Sequence, residues 1–295
     1  MVVTGDTLRE YLEKADKTGF AVPAFNYSDI WDLLAIAEAA QEEDAPVMLA
    51  SNPLVVRDIG VELCGAIGLA VMSKSTTPLI HHLDHSSGVE LCCAAIDNDY
   101  PSVMIDASKL DLRGNIEKTS MVTKYAAPKR VHVEAEIGKI KGNGIEGKYA
   151  GTGLDYLVDP DEAAELVRAT GVDSLAVGIG TAHGFYEGSP EIHFDRLAEV
   201  NEAVGVPLVL HGGTGIPAGD IRRAIKSGIN KVNVGTVIHC TYMNTMRKTL
   251  IDAGENPYTL DVVKPAIAAV KAVVKEWIHV CMAEGKRTIV RYNHA

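Results

Sequence analysis

Apolar residues in this chain come in short, nearly unbroken runs, separated by longer stretches where apolar positions recur at helical spacing. Eight runs read as strands: Ala21–Asn26, Pro46–Ser51, Pro78–Asp84, Ser102–Asp106, Arg130–Ile137, Ser174–Gly180, Pro207–Gly212 and Asn230–Val234. Runs of this kind fit parallel strands covered on both faces. The stretches between them carry helix start and stop signals. In DPDEAAELVRATG (159–171) acidic residues fill the first turn, Leu166 and Val167 are apolar, and Gly171 ends the helix. PAGDIRRAIKSG (217–228) repeats the design, with Pro217 near the start and Gly228 past the end.

Eight βα units predict an α/β protein of the (β/α)8 TIM-barrel type rather than a doubly wound sheet. No linker divides residues 1–295, so the expectation is one barrel domain. A C-terminal helical extension is predicted over about 260–284, with Ala266, Ala269, Val270, Val273, Val274 and Trp277 on its apolar side. It would pack on the barrel or on a second subunit. One stretch breaks the rhythm. GKIKGNGIEGKYAGTGLDYLV (138–158) holds six glycines between strand 5 and its helix and reads as a lid over a site.

Composition narrows the partners. The formal net charge of −11 disfavours nucleic acid and anionic membranes, so an anionic substrate must be held by local dipoles. The five cysteines include no CxxC pair, and no secretory segment is visible, which predicts reduced thiols in a cytoplasmic protein. No apolar run approaches the roughly 20 residues of a membrane helix.

Barrel active sites lie at the C-terminal ends of strands, and five predicted ends carry polar groups. Strand 3 ends in His82-Leu83-Asp84-His85, strand 5 brings Glu134 and Glu136, and strands 6 and 7 bring His183 and His211. Strand 8 brings Asn233 and Thr236. Histidines from three strands can give three nitrogens to a divalent metal and leave a position open, the pattern of a catalytic zinc site. Strict alternation sends Asp84 and His85 to opposite faces, so both reach one mouth only if the chain leaves regular strand geometry by His85. GGTG (212–215) and NVGT (233–236) stand after strands 7 and 8, the usual phosphate site of barrels, with Thr214 and Thr236 adding hydroxyls.

Taken together, HLDH, VEAEIG, GTAHG, LVLHGGTG and KVNVGT resemble the class II, metal-dependent fructose- and tagatose-bisphosphate aldolases, from VPAFNYSD (22–29) to the strand 8 loop. The resemblance implies one catalytic Zn2+ on His85, His183 and His211, with Asp84 as acid/base and Glu136 near the metal or on it. It implies dihydroxyacetone phosphate as product, through an enediolate that zinc stabilises. Asn26, Ser51, Gly213, Thr214, Asn233, Gly235 and Thr236 would touch substrate or phosphate. A monovalent cation, Na+ or K+, would sit near carbonyls around Gly184 and Gly212. Glu146, on the glycine-rich loop, resembles a lid acid that serves the C3 proton. Relatives are homodimers or homotetramers of carbohydrate metabolism.

The chain departs from this pattern in NVGTVIHC. Gly235 and Val237 stand where bisphosphate-cleaving members carry acids, and His239 stands where they carry a cation for the distal phosphate. Glu187 replaces a lysine four residues after His183. A ketose 1-phosphate is therefore expected ahead of fructose or tagatose 1,6-bisphosphate. The rivals are a metal-dependent hydrolase, whose first-strand HxH pair is missing, and a barrel kept as a structural or regulatory subunit. His81, His132, His193 and His294 are assigned to structure or solvent, and His82 to packing support.

Overall fold

Eight parallel strands close into a barrel in which sequence neighbours are spatial neighbours and the last strand pairs with the first. They are β1 (Val22–Asn26), β2 (Val47–Ser51), β3 (Leu79–Ser86), β4 (Ser102–Ile105), β5 (His132–Ile137), β6 (Ser174–Val177), β7 (Leu208–Leu210) and β8 (Ile229–Val234). The computed structural model describes residues 3–138, 157–186 and 190–290. The glycine-rich stretch with Glu146, as well as Glu187 and His294, lies outside the described residues.

The helices are α1 (Gly5–Thr18), α2 (Ile30–Glu42), α3 (Pro53–Ile59), α4 (Val61–Lys74), α5 (Val89–Asp97) and α6 (Leu112–Ala126). They continue as α7 (Pro160–Thr170), α8 (Phe194–Ala203), α9 (Ala218–Lys226), α10 (Thr236–Ala253) and α11 (Thr259–Val280). Two differ from the expected one-to-one alternation. Before β1, α1 starts from a Thr4 capping box and buries Leu8, Tyr11, Leu12 and Ala15. Its Arg9 bonds Asp173 Oδ1 at 2.6 Å and the Val131 carbonyl at 2.9 Å, next to the N-terminal ends of β5 and β6. The β2–β3 crossover holds two helices because Gly60, at φ +94°, breaks the run between Ile59 and Val61. β6 also stops at Val177, three residues short of the predicted end, and the Ile179 carbonyl accepts from His193 N–H instead.

The C-terminal extension is α11, which packs on α10 and α2. Val262, Ala266, Val270, Val274 and Ile278 recur at spacings of four and form its buried stripe. Lys271 and Lys275 pair with Glu42 on α2 across its edge.

Inside the barrel the core is unusual. A small apolar cluster of Met104, Ala176 and Val209 is buried there. Beside it lie His82, Ser102, His132, Glu134 and Lys231, all fully buried. Ser102 Oγ links the rings, 2.8 Å from His82 Nδ1 and 3.2 Å from His132 Nδ1. Burial holds His132 down to about 4, and His82 well below its ordinary value. Both rings are neutral members of a polar core, as assigned.

His81 points the other way, out of the barrel. Its ring stacks on Tyr100 at 4.0 Å, its Nε2 lies 2.9 Å from Tyr27 Oη, and α4 crosses over it at Gly68. A Cβ on Gly68 would lie 2.2 Å from His81 Nδ1. Gly68→Ala must therefore separate α4 from β3. We expect a loss of about 1–3 kcal/mol of stability in urea unfolding; an unchanged midpoint would refute this packing.

Candidate active site

β3 carries the irregularity that builds the site. Leu83 pairs with Val103 but Ser86 pairs with Ile105, so three steps on β3 oppose two on β4. The extra residue makes a bulge, and His85 takes φ +50° there. A non-glycine residue in that region costs about 1–2 kcal/mol. In return, Asp84 and His85 both line the same cavity, which strict alternation forbids.

Around that bulge three imidazoles converge. His85 from β3, His183 after β6 and His211 after β7 bring ring nitrogens within 4.8 Å of one another. His211 Nε2 is 3.0 Å from Glu134 Oε1. A carboxylate only accepts, so Nε2 donates and Nδ1 keeps its lone pair, which faces His85 Nε2 at 2.8 Å. Glu134 in turn accepts from Lys231 Nζ at 2.8 and 3.0 Å. His85 Nδ1 is oriented the same way, 3.3 Å from Asp106 Oδ2. His211 and His85 thus each have the far nitrogen tied to a carboxylate, the arrangement of metal-ligating histidines.

The electrostatics favour a cation at this point. Burial and His85 hold His183 down to about 4, and burial with His85 and Lys231 holds His211 well below its ordinary value. Burial would lower His85 too, but Asp84, Asp106 and Glu136 outweigh it and push the ring up to about 10. Three carboxylates that stabilise a proton on His85 would equally compensate a dication beside it. Burial and Asp106 push Glu136 up to about 8, and its Oε2 is buried with no hydrogen-bond partner. His85, Asp106 and Glu136 also form a set whose ligand atoms lie within 4.8 Å. The donor set of nitrogen and carboxylate oxygen fits zinc.

Asp84 is clamped by two amides. Asn26 Nδ2 donates to Oδ2 at 2.8 Å and Asn233 Nδ2 to Oδ1 at 3.0 Å. Burial alone would raise its carboxyl, yet His85, His211, Lys231 and Asn26 outweigh that and hold it below the ordinary range. An ionised carboxylate therefore faces the cavity with its orientation fixed.

The cavity measures about 420 Å³. Gly212, Gly213, Thr214, Gly235 and Thr236 form its floor on the β7–β8 side, where a phosphate was expected. Gly212, at φ +71°, has no room for a Cβ, which would meet the Ala182 carbonyl at 2.2 Å. Thr214 Oγ1 accepts from Val237 N–H at 3.2 Å and seats the first turn of α10. Gly184, Asn26 and His239 also line the cavity. Glu136 lies beneath it, 3.8 Å from His85 Nδ1.

Ser51 is a correction. Its hydroxyl is fully buried, 2.9 Å from Tyr100 Oη and 3.4 Å from the His82 carbonyl, and it is not on the cavity wall. The last residue of β2 points outward, and the next one, Asn52, lines the mouth instead. Asp106 and Lys231 went unnoticed as site residues. Asp106 directly follows β4, so the strand-end rule covered it. Lys231 stands two residues before Asn233, and the period of two puts both inside the barrel.

A closed barrel with an ionised carboxylate and three imidazoles that could hold a metal ion at its C-terminal mouth defines the class: a barrel enzyme with a candidate metal site. Residues 6–286 match the family model described as fructose-bisphosphate aldolase class-II. A fructose-bisphosphate aldolase of Geobacillus stearothermophilus is 38% identical over 274 residues, 91% of this chain and 93% of that protein. One from Staphylococcus epidermidis is 39% identical over 272 residues, 91% and 94% of the two chains. The crystal structure of the YdjI aldolase from Escherichia coli K12 superposes with a TM-score of 0.84 at 31% identity, over 95% of this chain and 98% of that one. The chain belongs to the class II fructose-bisphosphate aldolase family and is an aldolase, a carbon–carbon lyase.

Glu134→Gln weakens the acceptor that sets the His211 tautomer. Zn2+ affinity, measured by competition with a chromophoric chelator, is expected to fall about 10–100-fold. An unchanged affinity would mean His211 is positioned without Glu134.

Proposed function

We propose that this aldolase reversibly cleaves a ketose 1-phosphate to dihydroxyacetone phosphate and an aldehyde without phosphate. The observation that carries the reading is the cavity wall. Asp84, His85 and His183 line it with His211 buried against His85, glycines and threonines line one end, and no lysine or arginine lines it among the described residues. A divalent metal held by His85, His183 and His211, Zn2+ on this reading, would supply Lewis-acid polarisation of the C2 carbonyl.

The chain's own groups do the rest. The β7–β8 loops hold the C1 phosphate through backbone N–H groups and the hydroxyl of Thr236. Asp84, fixed by Asn26 and Asn233, accepts the proton of the C4 hydroxyl. The C3–C4 bond breaks, its electron pair passes to C3 and the C2 carbonyl, and C4 leaves as the aldehyde. A proton returned to C3 completes dihydroxyacetone phosphate. Carbonyls around Gly184 and Gly212 would hold a Na+ or K+ near the phosphate.

The second reading is cleavage of fructose or tagatose 1,6-bisphosphate, favoured by the names of the bacterial relatives. Parallel cleavage assays on fructose 1-phosphate, tagatose 1-phosphate and both bisphosphates decide between the two. A clear preference for a bisphosphate removes the first. The reading further places the enzyme in the cytoplasm as a homodimer or homotetramer. Among the described residues the five cysteines are free thiols, no helix is long and apolar enough to cross a membrane, and α10 exposes Met243, Leu250 and Ile251.

Asp84→Asn keeps the shape of the side chain and removes its basicity. Cleavage should drop about 10²–10⁴-fold while zinc content, read by atomic emission, stays at the wild-type ratio. Retained activity in that variant would assign the proton transfer to another group.

A further inference from the structure

The end of the cavity away from the phosphate loops has a composition of its own. Around the closed barrel, the β7 and β8 loops are followed by those of β1 and β2. The wall on the β2 side is Asn52, Pro53, Leu54 and Val55, the entry to α3. A helix start would ordinarily offer N–H donors to an anion, but here they are spent. Pro53 has no N–H, Asn52 Oδ1 accepts from Leu54 at 3.0 Å and Val55 at 3.1 Å, and the Asn52 carbonyl accepts from Val56 N–H. The neighbouring amide of Asn26 is engaged by Asp84. Apart from the amide nitrogen of Asn52, what this wall presents is the aliphatic side chains of Pro53, Leu54 and Val55.

Resting on the aldolase reading above, we propose that Leu54 and Val55 form the recognition surface for the far end of the substrate. They select an aldehyde that terminates in a methyl group over one ending in a hydroxymethyl or a phosphate. A terminal phosphate placed there would give up hydration with only the neutral Asn52 amide and, among the described residues, no lysine or arginine on the wall to replace it. A methyl group gains by leaving water. A pocket of this kind discriminates a single small group by about 10–200-fold.

The test runs in the condensation direction with the zinc-loaded enzyme and dihydroxyacetone phosphate. The acceptors are racemic 2-hydroxypropanal, glyceraldehyde and glyceraldehyde 3-phosphate, which differ only at C3. Exchange of the C3 hydrogen of dihydroxyacetone phosphate with deuterated water is followed separately, because it needs no acceptor. We expect kcat/KM to fall in the order methyl, hydroxymethyl, phosphate, with at least a tenfold span. Leu54 is 36% exposed, so it tolerates substitution. Leu54→Ser should reduce the methyl preference about tenfold with exchange unchanged, and Leu54→Lys should raise the rate with glyceraldehyde 3-phosphate.

A preference for glyceraldehyde 3-phosphate, or a Leu54→Ser variant with the wild-type order, overturns the inference; if exchange persists, the aldolase reading stands. Absence of exchange in the zinc-loaded wild type overturns both.

Discussion

One inserted residue in β3 governs the geometry of the site. Without it, period-two alternation would leave either Asp84 or His85 on the outer face among the helices. With it, the carboxylate and the imidazole project from adjacent positions into one cavity, and the backbone carries the cost at His85. The strand returns to register by Ser86, whose carbonyl accepts from Asp106 N–H at 2.7 Å. That contact sets Asp106, the partner of His85 Nδ1, at the end of the neighbouring strand. The distortion and its support are therefore one unit.

Below the bulge the barrel interior holds charge where most barrels of this class pack branched aliphatics. Lys231 and Glu134 form a buried pair, and the carboxylate passes the constraint on to His211. A buried pair of this kind is weak support for stability, because desolvation opposes its attraction. Its consequence is orientation. Glu134 between an ammonium and an imidazole stays ionised, and an ionised Glu134 dictates which nitrogen of His211 faces His85. The rings of His82 and His132 remain neutral in the same layer, so the net charge of the interior rests on few groups.

The two ends of the cavity differ in composition. After β7 and β8, Gly212, Gly213 and Gly235 leave no room for a Cβ against Ala182, Asn233 and Asn26, and the loop backbone lies close along the cavity. After β2, proline and an asparagine cap consume the donors and leave aliphatic side chains outward. The protein is acidic overall, so a second anion would face an unfavourable field as well as an apolar wall.

The eightfold alternation, the strand-end histidines and the two glycine-rich turns were legible in the sequence, because burial on both faces and the period of two leave a direct imprint on residue type. The requirement that β3 break its alternation at His85 was also legible, as a conflict between two side chains and one mouth. The resemblance assigns Ser51 to the substrate, but strand phase is decided by pairing with neighbours, and here it turns the hydroxyl toward Tyr100. Asp106, the Lys231–Glu134 pair and the apolar wall at Leu54 had no readable role in one dimension. Asp106 and Lys231 acquire theirs from residues remote in the chain, Lys231 from one 97 positions away. The sequence by itself determined the barrel and which chemical groups reach its mouth. The tertiary structure alone decided how they are oriented, because hydrogen-bond direction and charge compensation depend on distances across the barrel that no local pattern encodes.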